Sequence, residues 1–329
     1  MTTVISTDAG AAVELLVQGE VVALPTETVY GLAADAFNAV AVAKIFEAKE
    51  RPRFDPLIVD LPHPDWLESL TDVPTQSATL VSKLVESFWP GPLTLLLPKR
   101  ELIPDIVTAG LQTVAVRCSA HPVFAAVVSK LDRPLAAPSA NRFGRISPTT
   151  AGHVFDELNG RIPLIIDGGP TLHGLESTIC AIRDGRIEVL RRGPITETDL
   201  SEFAPTRVLT GQGIVAPGQL PSHYAPAKPL VLVDSANDFV ATAGERVGLL
   251  AWNSTKSLVP PVAEVRALST TQNLREAAAN LFRYLRELDA QENVDLIVAE
   301  RVPDQGLGAA IMDRLRRASH RGDGPAPLQ

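Results

Sequence analysis

Residues 204–228 constrain the fold of this chain more than any other stretch. They carry Pro205, Pro217, Pro221 and Pro226, three glycines and little apolar periodicity. Each proline fixes φ and removes a backbone donor, so a long helix or a central strand cannot run through such a segment. It therefore reads as a connector, and it divides the 329 residues into a unit at 1–203 and a smaller one at 229–329.

The two sides have different patterns. After the connector, strands expected at 230–233, 246–252 and 295–299 alternate with helices expected at 273–288 and 307–319. On the first of these helices Leu274, Ala278, Leu281, Leu285 and Leu288 make one apolar stripe. Alternation of this kind predicts a small doubly wound α/β domain, ending in a frayed tail at 320–329. Before the connector, helices are expected at 11–18, 40–49 and 80–88, the last broken by Trp89-Pro90-Gly91-Pro92. Strands are expected at 21–24, 56–61, 93–97, 113–117, 135–137 and 164–167. Ser147-Pro148-Thr149-Thr150 reads as a helix start that Asn159-Gly160 ends. Asp184-Gly185 predicts a type I′ turn joining strands at 177–182 and 186–191.

Composition excludes several classes of function. The net charge is −8 and the pI about 5.3, so no general basic face for coating nucleic acid is expected. Two cysteines, Cys118 and Cys180, make neither a disulfide framework nor a zinc knuckle, and they suit a reducing compartment. No phosphate-binding loop, dinucleotide fingerprint, zinc-protease helix or nucleophile elbow is present. Zinc, flavin and NAD are accordingly not expected. The N-terminus lacks a basic region ahead of its apolar stretch, and no window is long and apolar enough to span a bilayer. A cytoplasmic protein is the expectation.

Four local clusters carry chemistry. Lys49-Glu50-Arg51-Pro52-Arg53 sets three cations at the end of a predicted helix. They suit phosphate oxygens, although a helix dipole favours cations there in any case. Pro138-Ser139-Ala140-Asn141 follows an apolar strand; Ser139 and Asn141 share a face if extension continues, and a capped turn is the alternative. Arg117 ends a strand, either as an anion anchor or as a surface side chain. Glu176-Ser177-Thr178 opens the hairpin, whose pairing puts Ser177 nearly opposite Arg191, unless it is a plain sheet edge.

Taken in order, these motifs resemble one family. Pro25-Thr26-Glu27-Thr28-Val29-Tyr30-Gly31-Leu32, Lys49-x-Arg51-Pro52, Pro56-Leu57-Ile58-Val59, Trp89-Pro90-Gly91-Pro92-Leu93-Thr94, Val114-Ala115-Val116-Arg117, Pro138-Ser139-Ala140-Asn141, Glu176-Ser177-Thr178 and Leu190-Arg191-x-Gly193 run as in the YrdC-like domain. Pro217-Gly218 and Ser222-His223-Tyr224-Ala225-Pro226 resemble the connector of its two-domain form, the threonylcarbamoyl-AMP synthases. The resemblance spans essentially the whole chain. It implies an α/β twisted open sheet around a large concave cleft, then a smaller Rossmann-like domain, with the connector over the active site.

The activity implied is synthesis of L-threonylcarbamoyladenylate from L-threonine, bicarbonate and ATP with release of pyrophosphate. The product would pass to the tRNA threonylcarbamoyl-transferase machinery that modifies adenosine 37; stable tRNA binding is not expected. By motif, Lys49, Arg51, Ser139 and Asn141 would be catalytic. Thr28, Arg117, Ser139 and Ser177 would hold threonine, Arg117 on its carboxylate. Thr113, Asn141, Thr149, Arg191 and Tyr224 would join Lys49 and Arg51 around ATP.

Two positions depart from the family pattern. Asp55-Pro56-Leu57-Ile58-Val59-Asp60 stands where Asn-Pro-Leu-Ile-Val-His is common. A carboxylate near a triphosphate is unfavourable by roughly 1 kcal/mol or more. Asp55 or Asp60 is therefore read as helping Mg²⁺ that arrives with ATP, which places Asp55 on the nucleotide side. The alternative puts Asp60 on the threonine amine. Two competing functions remain: an RNA-binding module using the same face, against which the acidic charge counts, and a carbamoyl transferase, whose zinc and acyl-phosphatase-like segments are not found.

Overall fold

The computed structural model describes residues 2–209, 216–217, 224–254 and 262–320. Gly218 and Ser222-His223 of the connector motif lie outside the described residues, as does the expected tail beyond His320. The chain divides into two compact units, Met1–Phe143 with Pro148–Gln219, and Gly144–Ser147 with Leu220–Gln329.

Among the described residues the first unit holds eleven strands: β1 (Val4–Ser6), β2 (Val22–Leu24), β3 (Gly31–Asp35), β4 (Ile58–Asp60), β5 (Leu93–Pro98), β6 (Thr113–Arg117), β7 (Leu135–Ala136), β8 (Leu164–Ile166), β9 (Thr178–Arg183), β10 (Arg186–Arg191) and β11 (Thr206–Val208). They form one mixed sheet in the order β1-β8-β2-β3-β7-β4-β6-β5-β9-β10-β11. Side chains alternate between its faces. Ala23, Leu32 and Ala34 enter one core cluster, whereas Val22, Leu24 and Ala33 enter another. Because both faces are covered, the strands read as continuous apolar runs rather than as alternation.

Near the centre of the sheet β4 lies parallel to β6, with Asp60 opposite Arg117, and antiparallel to β7, with Asp60 opposite Leu135. The hairpin of β9 and β10 turns at Asp184 (φ 49°) and Gly185 (φ 69°), as the turn signal requires. An irregularity near its open end sets Arg191 opposite Ile179.

The second unit is a four-stranded parallel sheet of β12 (Leu230–Val233), β13 (Val247–Ala251), β14 (Glu264–Ala267) and β15 (Leu296–Glu300), in the order β12-β15-β13-β14. Its helices Leu274–Ala290 and Leu307–Ser319 pack on each other. The apolar stripe of the first helix buries Ala278, Leu281, Leu285 and Leu288, together with Phe282. Each large apolar side chain buried in this way contributes about 1.5–3 kcal/mol. The residues 144–147 belong to this unit: Ala225 donates its N–H to the Gly144 carbonyl at 2.9 Å, and Arg286 donates to the Ile146 carbonyl.

Several details differ from the sequence reading. The connector expected from 204 begins with strand β11, parallel to β10. The helix expected from Ser147-Pro148 starts at Ala151, where the Thr150 hydroxyl accepts from the His153 N–H, so Pro148 stays outside it. Strands β1, β3 and β14 have no counterpart in the local sequence pattern. β3 is Gly-Leu-Ala-Ala-Asp, low in β propensity, and β14 is a polar edge strand.

Gly193 shows how the motif after β10 works. A Cβ there would lie 2.5 Å from the Glu176 carbonyl oxygen and the Thr178 nitrogen, and 2.7 Å from the Ser177 carbonyl carbon, all backbone. Only a hydrogen fits. Gly193→Ala should therefore cost about 1–3 kcal/mol by overpacking, read as a lowered denaturation midpoint. An unchanged midpoint would show that the Glu176–Thr178 backbone moves freely.

Candidate functional site

The site starts with a helix end. Asn38 caps the helix Ala39–Lys49 by accepting from the N–H groups of Val40 and Ala41. Glu50 then closes it in a left-handed conformation, φ 53°. This turn directs Lys49 and Arg51 into the protein, where they are 1% and 8% exposed. The Lys49 ammonium donates to the backbone carbonyls of Ser139 and Asn141. The two segments singled out in the sequence are thus joined directly. Burial pushes the Lys49 pKa well below the usual lysine value, and the neighbouring Arg51 lowers it further.

Arg51 folds over its own loop. Its Nε donates to the Asp55 carbonyl at 3.2 Å, and its Nη2 donates to the Pro56 carbonyl at 2.8 Å. The same Nη2 lies 2.8 Å from Asp55 Oδ2, and the Asp55 side chain is fully buried. Burial raises the Asp55 pKa; Arg51, Lys49 and Arg191 oppose that rise. Arg191 itself donates from Nε to the Ser177 carbonyl at 3.1 Å and from Nη2 to Ser177 Oγ at 3.0 Å. Three cations therefore act on one buried carboxylate, and the surplus positive charge suits a polyanion.

The second cluster sits at the C-terminal ends of β4 and β6, about 13 Å along β6 from its N-terminal end. Arg117 Nε lies 3.2 Å from Asp60 Oδ1, Nη1 donates to Thr28 Oγ1 at 3.1 Å, and Nη2 lies 3.5 Å from Glu27 Oε2. Glu27 Oε2 also accepts from the Ser119 hydroxyl at 2.5 Å and the Ala120 N–H at 3.2 Å. Burial alone would raise the Glu27 pKa, but Arg117 and the Ser119 hydroxyl outweigh it and hold the group below the usual value. Asp60 faces the Arg117 guanidinium, and burial pushes its pKa up to about 6. Here two carboxylates share one cation, so the surplus is negative.

The sequence-predicted residues divide by position. Lys49, Ser139 and Asn141 are joined, as are Arg51 and Asp55, Arg191 and Ser177, and Arg117, Thr28 and Asp60. Thr113 opens β6 at the end away from Arg117, level with the Asp55-Pro56 side. Thr149 lies ahead of the helix Ala151–Leu158, its N–H and Oγ1 each 3.3 Å from His153 Nδ1. Tyr224 belongs to the second unit. There it stacks on Phe282 at 5.4 Å and 28°, with the Arg314 guanidinium 5.2 Å from its ring.

The residues not anticipated are Glu27 and Ser119 beside Arg117, and Thr94, whose hydroxyl bonds Ser177 Oγ at 2.8 Å. Only Thr94 carried a local signal, a polar side chain inside the apolar run Leu93–Leu97; Glu27 and Ser119 sit in loops. Among the described residues no group of three or more His, Cys, Asp or Glu is arranged to hold a metal ion. Asp55 and Asp60, the two candidates for Mg²⁺, each face an arginine.

Two family models match this chain. Residues 14–193 match the one described as telomere recombination, and residues 188–320 match the threonylcarbamoyl-AMP synthase C-terminal domain. The threonylcarbamoyl-AMP synthase of Bacillus subtilis (strain 168) is 42% identical over 323 residues, covering 94% of this chain and 92% of its own. That of Pyrococcus abyssi is 40% identical, covering 92% and 91%. The crystal structure of P. abyssi Sua5 complexed with L-threonine superposes with a TM-score of 0.87 at 36% identity, over 97% of this chain and 98% of that one. With both units matched in order and at this identity, the chain belongs to the threonylcarbamoyl-AMP synthase family, in its two-domain form.

Proposed function

We propose that this enzyme makes L-threonylcarbamoyladenylate from L-threonine, bicarbonate and ATP, releasing pyrophosphate. The observation that carries the reading is the pair of buried clusters with opposite surplus charge, one around Lys49, Arg51 and Arg191 and one around Arg117. A triphosphate answers the first. A zwitterionic amino acid answers the second, its carboxylate on Arg117 and its ammonium beside Glu27 and Asp60.

Threonine is first carboxylated on nitrogen, and the resulting carboxylate attacks the α-phosphorus of ATP. Lys49 and Arg51 stabilise charge on the phosphates, while Lys49 also fixes Ser139 and Asn141 beside them. Mg²⁺ arrives with the nucleotide as part of the substrate. Asp55 holds Arg51 in orientation through their 2.8 Å ion pair. Ser177 is shared: its carbonyl and hydroxyl accept from Arg191, and its hydroxyl also bonds Thr94, so it links the nucleotide and amino-acid ends. The product goes on to the machinery that threonylcarbamoylates adenosine 37 of tRNA, in the cytoplasm. Among the described residues no helix is long and apolar enough to cross a membrane.

The direct test is to incubate the protein with ATP, bicarbonate and labelled threonine. Pyrophosphate release that requires threonine, with a labelled adenylate, is the expected result; release independent of threonine defeats the reading. In the same assay Lys49→Met should lower turnover by about 100-fold or more. Asp55→Ala leaves the Arg51 charge buried without its carboxylate, so denaturant unfolding should show a loss of about 3–5 kcal/mol.

A further inference from the structure

We propose that Asp60 is the base that takes the proton from the threonine ammonium, while Glu27 and Arg117 hold the zwitterion in place. The proposal rests on the synthase reading above and goes beyond it by naming the group that makes the amine nucleophilic.

The geometry points to a cationic ligand with several N–H donors. Glu27 and Asp60 both face the Arg117 guanidinium, at 3.5 and 3.2 Å, in surroundings where the three residues are only 6%, 2% and 4% exposed. Glu27 Oε1 is buried with no hydrogen-bond partner among the described residues. A buried carboxylate oxygen left in this way is costly unless a donor reaches it. Surplus negative charge and an unsatisfied acceptor in one corner are both answered by an ammonium group.

The two carboxylates are not equivalent, which divides their roles. Glu27 is fixed by the Ser119 hydroxyl and the Ala120 N–H as well as by Arg117, and stays ionised. Among the described residues no hydroxyl or backbone N–H donor is seen at Asp60; its pKa is pushed up by burial, a rise that Arg117 opposes and Glu27 reinforces, to about 6. Paired carboxylates whose surroundings push their pKa values apart commonly divide binding from proton transfer. The other groups facing this corner leave that division in place. Cys118 is held protonated, its thiol pushed up to about 11, and across β7 the neighbour of Asp60 is the uncharged Leu135. His121, whose pKa is lowered by burial, and His173 act on Glu27.

The step balances without any further reagent. The ammonium N–H bond breaks and its proton passes to the Asp60 carboxylate, giving a neutral amine and a neutral carboxyl. The amine lone pair forms the C–N bond to the bicarbonate carbon. The C–OH bond breaks, and hydroxide leaves as water with a second amine proton. Asp60 then returns its proton to solvent.

The test is the pH profile of kcat/KM for threonine, which reports groups of the free enzyme. The wild type should show an acid limb with a midpoint near the Asp60 value of about 6 and a plateau above it. The limb falls on the acid side because Asp60 accepts the proton only when ionised. Asp60→Asn should lower kcat/KM by about 100-fold or more at neutral pH and lose that limb. Its rate should instead climb about tenfold per pH unit as free amine accumulates. Calorimetric binding of threonine and a melting curve accompany the variant. An Asn variant with wild-type rate, or with the acid limb intact, overturns the proposal. So does one that is folded but binds no threonine, which assigns Asp60 to binding alone. A wild-type profile that is flat through pH 6 overturns it even if the variant does not fold. Absence of threonine-dependent pyrophosphate release from the wild type at every pH would instead defeat the synthase reading itself.

Discussion

The site depends on one buried ammonium. Lys49 lies at the end of a helix, and among the described residues no salt bridge reaches it; its charge is met by the carbonyls of Ser139 and Asn141. Such an arrangement is poor in isolation, since desolvating an ammonium costs several kcal/mol and two carbonyl dipoles offset only part of that. The surrounding structure makes it tenable. The left-handed turn at Glu50 fixes where Lys49 points, and the Phe143 N–H donates to the Lys49 carbonyl at 2.8 Å, tying the helix end to the same loop. The clamp therefore sets the path of the 139–143 segment as well as the charge of the site.

Around that clamp the sheet separates charge. The β4–β6 pair spans from the Asp55-Pro56 loop, where cations are in excess, to Asp60 and Arg117, where carboxylates are. A chain with a net charge of −8 thus keeps a locally positive interior for an anionic ligand, because burial strengthens the local interaction whereas solvent screens the surface charge. Arg191 joins the two ends. It bonds Ser177 directly, and its charge is felt at Asp55.

Much of this was legible in the sequence. Strand 113–117, the turn at Asp184-Gly185, the apolar stripe of the long C-terminal helix and the pairing of Ser177 with Arg191 all follow from local pattern, and the structure contains each of them. The clusters carried by motif order, Lys49 with Ser139 and Asn141 above all, could not come from local pattern, because the contact closes some 90 residues of chain. Glu27 and Thr94 went unnoticed for the same reason. A lone carboxylate or hydroxyl between apolar strands has no periodicity, and its meaning appears only when the register of β4, β5, β6 and β9 brings its partners to it. The short strands β1 and β14 escaped because their neighbours in the sheet, and not their own residues, make them strands.

The place of residues 144–147 bears on how the two halves can be exchanged or separated. The chain leaves the first unit after Phe143, spends Gly144–Ser147 with the second, returns for 148–219, and crosses again at the connector. A cut in the connector would therefore leave a short loop of one half without the Ala225 and Arg286 groups that hold it. Modular exchange of the C-terminal unit between relatives must carry those four residues with it, and the loop begins only three positions after Asn141. The boundary between the halves is thus written in two places along the chain.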